Sequence, residues 1–320
     1  MKIFLTIFCF SISAALLTAC GNITTSRTDA DSNTAGGHDM SRHNGTTTDV
    51  DRDFALDFLS EPGEIQAGTP ATLVFTVKDK RGATVKDLQI VHEKPMHLLI
   101  VSKDLAEFYH VHPEPSADGS YRVQHTFPNG GDYKLYADFT PKDAVQVVER
   151  VEVKVGGQER PKAPLVADAS YTKTESGLKV VMKPDGKLEA GSEVMLNFQV
   201  FDASSGKPAT DLQSYLGELA HFVIISEDMK DFVHAHPMSK GEHDDMGKKE
   251  GGGDHDADGH QHSTMEGTTV KPSASEVAAH TGFPRSGLYK VWAQFQRGGQ
   301  VITVPFVVEV APGQQRAELN

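Results

Sequence analysis

His97-Leu98-Leu99-Ile100-Val101-Ser102, a five-residue gap, then Phe108-Tyr109-His110-Val111-His112-Pro113 is the stretch that decides the fold, because the chain contains it twice. The second copy reads His221-Phe222-Val223-Ile224-Ile225-Ser226, then Phe232-Val233-His234-Ala235-His236-Pro237. A constant offset of 124 residues runs without a gap from Asp87-Leu88-Gln89 and Asp211-Leu212-Gln213 to Pro113 and Pro237. Further on, Phe127-Pro128 and Tyr133-Lys134 recur as Phe283-Pro284 and Tyr289-Lys290. Repetition over this length indicates one structural unit duplicated in tandem.

Working outward, the first unit contains short segments rich in β-branched and aromatic residues. They are Phe54 to Leu59, Ala71 to Val77, His97 to Ser102, Phe108 to His112, Tyr121 to Phe127, Tyr133 to Phe139 and Val145 to Val155. Pro62-Gly63, Arg81-Gly82, Asp118-Gly119 and Asn129-Gly130-Gly131 punctuate them, and no helical periodicity intervenes. This pattern predicts an all-β fold of two tandem immunoglobulin-like antiparallel β-sandwich domains. The expected domains are 52–156 and 171–312, joined by a linker at 157–170 and followed by a short tail at 313–320.

Two segments lack the apolar residues needed for a core. Residues 20–51 are Ser, Thr, Asn, Asp and Gly with scattered His38, Asp39, Met40 and His43, and read as a disordered spacer. Residues 238–276 interrupt the second unit with Gly251-Gly252-Gly253, many acids, His243, His255, His260, His262, Met246 and Met265. They read as a long disordered His-rich loop, either a solvated linker or a low-specificity trap for copper, zinc or nickel.

The N-terminus carries an address. Lys2 precedes an apolar run from Ile3 to Leu17, too short for a permanent membrane span. Leu17-Thr18-Ala19-Cys20 resembles the lipobox of bacterial lipoproteins, with small residues before the cysteine that takes the lipid. Residues 1–19 are therefore expected to be removed and Cys20 lipidated, with an ordinary secretory signal as the alternative. The expected location is the cell envelope, anchored to a membrane, facing the periplasm or the cell surface. The other cysteine, Cys9, leaves with the signal, so no disulfide is expected and hydrophobic cores must supply the stability. A spacer of this length reaches roughly 30 Å by coil scaling. The formal charge of −13 argues against nucleic acid as a partner.

The chemistry is concentrated in the repeated histidines. If the two segments of each copy pair as a hairpin around Lys103 to Glu107, His97 lies opposite His112 in the simplest register. His110 and His112, two apart, share one strand face. Three imidazoles then converge at one end of the hairpin, and His221, His234 and His236 are expected to do the same in the second domain. Such a triad suits Cu(II), Zn(II) or Ni(II). Met96, replaced by Ala220 in the second copy, and His125 and His280, near the Phe-Pro turns, are weaker additional candidates. The competing reading makes these histidines structural, in an immunoglobulin-like interaction module. A one-residue register slip would dissolve the site.

The segments Ala220 to Ile225 and Phe232 to Pro237, their first-copy equivalents, and Tyr289-Lys290-Val291-Trp292-Ala293 resemble bacterial envelope proteins of the YtkA-like and FixH-like kind. More loosely they resemble CopC-like copper carriers. The resemblance implies copper or heavy-metal handling, with ligand roles for His97, His110, His112, His221, His234 and His236. It also implies an unidentified metal-transport or oxidase-assembly partner. Tyr109-His110-Val111-His112 is similar to the His-Val-His strand of copper–zinc superoxide dismutases, but the disulfide cysteines and the following metal loop are missing. Nucleophile elbow, phosphate loop, haem-attachment and His-Glu-x-x-His motifs are all missing, so no enzyme activity is expected.

Overall fold

In a computed structural model, residues 53–162, 164–235, 237–238 and 275–313 are described. The first repeat forms β1 (Phe54–Glu61), β2 (Pro70–Asp79), β3 (Met96–Ser102), β4 (Phe108–Val111), β5 (Glu114–Pro115), β6 (Tyr121–Thr126), β7 (Gly131–Phe139) and β8 (Val147–Val155). One sheet has the order β1-β2-β6-β5 and the facing sheet β4-β3-β7-β8. The second repeat forms β9 (Thr172–Glu175), β10 (Leu178–Pro184), β11 (Glu193–Asp202), β12 (His221–Ser226), β13 (Phe232–Ala235), β14 (Pro237–Met238), β15 (Glu276–Gly282), β16 (Gly287–Arg297) and β17 (Gln300–Val310). Its sheets run β14-β15-β11-β10-β9 and β13-β12-β16-β17. All named strand pairs are antiparallel, for example β3 with β7 and β12 with β16. These are two tandem immunoglobulin-like β-sandwiches. Among the described residues no helix is long and apolar enough to cross a membrane.

Strand alternation explains each core. Leu73, Phe75, Leu98, Ile100, Phe127 and Leu135 fill the first sandwich. Phe198, Phe222, Ile224, Phe283, Phe295 and Phe306 fill the second. The segment between the sandwiches is pinned to both. Gly130 N donates to Gln158 O at 2.8 Å and Asp168 N to Val307 O at 2.9 Å. Arg160 pairs with Asp104.

β3 and β12 are buried along their whole length, on both faces. Leu98 and Ile100 face inward, whereas Leu99 and Val101 face outward and join Leu105, Tyr136 and Val148 in a third apolar cluster with Val223, Ile225, Met229, Phe232 and Trp292. All described residues belong to one compact unit. The cluster seals the β3-bearing sheet of the first sandwich against the β12-bearing sheet of the second.

The contact is pseudo-two-fold. Phe108 stacks on Trp292 with centroids 4.6 Å apart, and Tyr136 stacks on Phe232 at 5.0 Å. Phe232 is the repeat of Phe108, and Trp292 that of Tyr136. Likewise Lys290 Nζ donates to Leu105 O at 2.7 Å and Lys134 Nζ to Met229 O at 3.5 Å. Two copies of one surface thus meet as an isologous pair within one chain.

Candidate metal centre

The hairpin that carries the histidines is set by its turn. Ser102 Oγ donates to Asp104 Oδ1 at 2.7 Å and accepts from Glu107 N at 2.9 Å, while Leu105 adopts φ 57°. Ser226, Asp228, Asp231 and Met229 repeat this geometry at 2.7 Å, 2.9 Å and φ 56°. The turn fixes the register Leu98 to Val111 and Leu99 to His110. Extended by one residue, that register sets His112 opposite His97, and their rings lie 5.0 Å apart. In the second copy β12 and β13 pair Val223 with His234.

His97, His110 and His112 each offer a ring nitrogen, and the three nitrogens lie within 4.8 Å of one another. The other ring nitrogens show what these are prepared for. His97 Nε2 donates to Val91 O at 2.9 Å, which leaves Nδ1 as its lone-pair nitrogen. His110 Nδ1 donates to Gln294 Oε1 at 2.8 Å, and Gln294 is held in turn by Nε2 donating to Thr303 Oγ1 at 3.1 Å. His97 Nδ1 and His110 Nε2 then stand 3.1 Å apart with lone pairs facing each other. Two facing lone pairs repel unless a cation lies between them. Outward N–H bonds to a carbonyl and an amide oxygen are the arrangement that orients metal-ligating imidazoles.

His112 completes the group. Its Nε2 is buried without a hydrogen-bond partner. Burial, then the neighbouring His97 and Lys94 charges, pushes its pKa down to about 3, which keeps the imidazole neutral. An orphaned neutral nitrogen beside two oriented lone pairs fits a borderline divalent cation.

The carbonyl that holds His97 sits on a tight turn. Val91 and Lys94 exchange backbone hydrogen bonds, with His92 and Glu93 at φ 47° and 65°. Positive φ at both central residues matches a type I′ turn, an uncommon conformation for non-glycine residues. Tyr215 and Glu218 repeat it around Leu216 (φ 55°) and Gly217 (φ 84°). His221 Nε2 donates to Tyr215 O at 2.9 Å, as His97 does to Val91.

The first triad therefore lies on the face that the second sandwich covers. His221 brings its ring to 6.3 Å from His110, and His92 lies 5.1 Å from His221 and 6.2 Å from His97. Two participants were absent from the sequence expectations. His92 has no histidine counterpart, its repeat being Leu216, and Gln294 is the repeat of Asp138, opposite His97 across β3 and β7. Asp138 is buried and accepts from Gln146 Nε2 at 2.8 and 2.7 Å.

Other candidates are not brought to this group. Met96 is fully buried in the core of the first sandwich, because adjacent strand residues face opposite ways. His125 belongs to β6 in the opposite sheet, between Tyr109 and Phe127 at 4.6 Å each. His280 is half exposed on β15, with Nε2 3.5 Å from Glu193 Oε2. Cys20, His236, His243, His255, His260, His262, Met246 and Met265 lie outside the described residues, as does the side chain of His234.

Fold and site together define a tandem β-sandwich protein with a histidine cluster where its two sandwiches meet. The chain belongs to the family described as a domain of unknown function (DUF8832), whose model matches it twice, at residues 49–156 and 172–312. No curated protein matches the chain. Among solved structures, an α2-macroglobulin mutant from Salmonella is 12% identical over 87% of this chain and 16% of its own, with a TM-score of 0.25. A membrane-anchored protein described as putative from Corynebacterium diphtheriae is 12% identical over 84% of this chain and 60% of its own, at 0.21. Fibronectin(III)-like modules of Clostridium thermocellum CbhA are 12% identical over 83% of this chain and 98% of their own, at 0.20. The chain spans less than two thirds of the first two, and TM-scores this low carry no functional argument.

Proposed function

We propose that this chain is a lipid-anchored envelope protein that binds a divalent transition metal, copper foremost, with zinc or nickel as alternatives, for sequestration or delivery. The observation that carries the reading is the 3.1 Å approach of His97 Nδ1 to His110 Nε2, each turned inward by an outward hydrogen bond. The buried, unpartnered Nε2 of His112 supports it. His221, His234 and His236 are the corresponding ligands in the second repeat. The acidic segment with His243, His255, His260, His262, Met246 and Met265 supplies loose capture sites that raise the local metal concentration. Cys20 is the attachment point for lipid, and the membrane is reached through it.

The test is metal content and affinity of the purified mature protein after incubation with Cu(II), Zn(II) and Ni(II), with a His110→Ala/His112→Ala variant alongside. The expected result is tight binding by the natural chain and loss of the first-domain equivalent in the variant, with the circular dichroism spectrum retained. Failure of the natural chain to bind any of the three would leave the histidines as structural groups in an interaction module.

A further inference from the structure

The turns that set the two histidine hairpins are closed by arginines from different parts of the chain. In the second repeat Arg285 follows Phe283-Pro284 and grips the turn from within its own sandwich. Its Nη1 and Nη2 donate to the two Asp228 oxygens at 3.0 Å each, and its Nε donates to Asp231 Oδ2 at 3.0 Å. Tyr289 Oη donates to the same Asp231 oxygen at 2.6 Å. The first repeat keeps the acceptors, as Asp104 and Glu107, and the tyrosine, Tyr133, whose Oη donates to Glu107 Oε2 at 2.7 Å. In the place of Arg285 it has the uncharged Asn129, whose Nδ2 donates to Glu107 Oε1 at 2.7 Å. The guanidinium comes instead from the segment between the sandwiches. Arg160 pairs with Asp104 through Nη2, and its Nε lies 3.8 Å from Glu107 Oε1. Arg316, the repeat of Arg160 in the tail, lies outside the described residues.

The linker is seated to deliver this group. A Cβ on Gly130, next to Asn129, would stand 2.5 Å from Gly157 O, so glycine there lets the linker backbone approach. Farther along, Asp168 Oδ2 accepts from Val307 N of the second sandwich at 2.8 Å. Asp104 joins the linker to the hairpin register, since Oδ2 takes Arg160 while Oδ1 accepts from Ser102 Oγ at 2.7 Å. We infer that Arg160 is a positioning residue for the first triad, latching the linker onto the turn that sets the register of His110 and His112. Lifting the linker loosens the first triad and leaves the second repeat's turn, which carries its own arginine, unchanged. The consequence for metal rests on the metal-binding reading above; the latch on the turn does not.

Amide hydrogen exchange of the metal-free full mature chain, followed by Zn(II) competition titration, tests this on Arg160→Ala. For a partly exposed ion pair the expected factor is about five. The Leu105 and Glu107 amides should exchange faster by that factor, with Met229 and Asp231 in the second turn unchanged. Zinc affinity should fall by the same factor for the equivalent that His110→Ala/His112→Ala removes. Gly130→Ala, which pushes the linker away without touching a charge, should reproduce both effects. Asn129→Arg added to Arg160→Ala supplies the guanidinium from within the sandwich, as Arg285 does, and should restore both. Unchanged exchange or unchanged zinc affinity in Arg160→Ala, or failure of Asn129→Arg to restore them, would overturn the latch. Faster exchange in Arg160→Ala with no zinc bound by the natural chain would overturn the metal-binding reading and leave the latch on the turn standing.

Discussion

At the residue scale, Gln294 and His125 show how burial assigns different roles to polar side chains. Gln294 comes from the second sandwich yet accepts from His110 Nδ1, a partner 184 residues away. Removing such an orienting group costs roughly 10- to 100-fold in metal affinity. Gln294→Leu is therefore expected to weaken the first triad by that factor in a competition titration, with Gln294→Glu restoring it. A merely structural role would lower stability in both variants and leave affinity alone. His125 has a buried, unpartnered Nε2, and desolvation pushes its pKa down to about 4, against a smaller opposing effect from Glu107. Its folded pKa is thus below the unfolded value of about 6.5. The unfolded chain takes up the proton first, so stability is unaffected above that value and falls as pH drops from about 6.5 toward 4. The loss approaches about 3 kcal/mol. Urea denaturation of metal-free protein at pH 7.5 and 4.5 should show it, and His125→Phe should give a shallower decline.

At the element scale, the hairpin turn sets the register that brings His112 opposite His97. Ser102 Oγ is the pivot, donating to Asp104 and accepting from Glu107 N. Ser102→Ala strands a backbone N–H and is expected to cost about 1–2 kcal/mol. Ser226→Ala, at the matching turn, should cost about the same in chemical denaturation. Loosening the first turn should also weaken binding at the triad, since a register slip would send one member to the opposite face. An equal affinity loss in the Ser226→Ala protein would contradict that link.

At the scale of the whole molecule, the chain's single tryptophan, Trp292, is an internal probe, because it stacks on Phe108 in the contact between sandwiches. Ile225→Asp places a charge in that apolar cluster. It is expected to open the contact, shift Trp292 emission to the red, and reduce triad affinity as Gln294→Leu does, with both sheets retained by circular dichroism. Metal binding should stabilise the docked state in return. At a free Zn(II) concentration 100 times Kd, linkage predicts a gain of about 2.7 kcal/mol. A denaturation midpoint unmoved by zinc would show that the ion does not favour the folded form.

Much of this was legible in the residues alone. The tandem repeat and the strand-and-turn pattern determine two sandwiches, because alternation and turn chemistry are local. The spacing of His97, His110 and His112 about the hairpin at Lys103 to Glu107 puts the triad on one face for the same reason, whereas the Ser102 and Asp104 bonds that fix the register emerge from the structure. The alternation that unites them also sends Met96 into the core. An uninterrupted apolar run such as Leu98 to Val101 or Phe222 to Ile225 marks a strand covered on both sides, yet it does not say by what. Only the tertiary structure decided that the outer face of one sandwich closes on that of the other, bringing His221 and Gln294 to the triad. The physical reason is that this contact depends on the complementarity of two complete surfaces, whose stacked rings come from strands far apart in the chain.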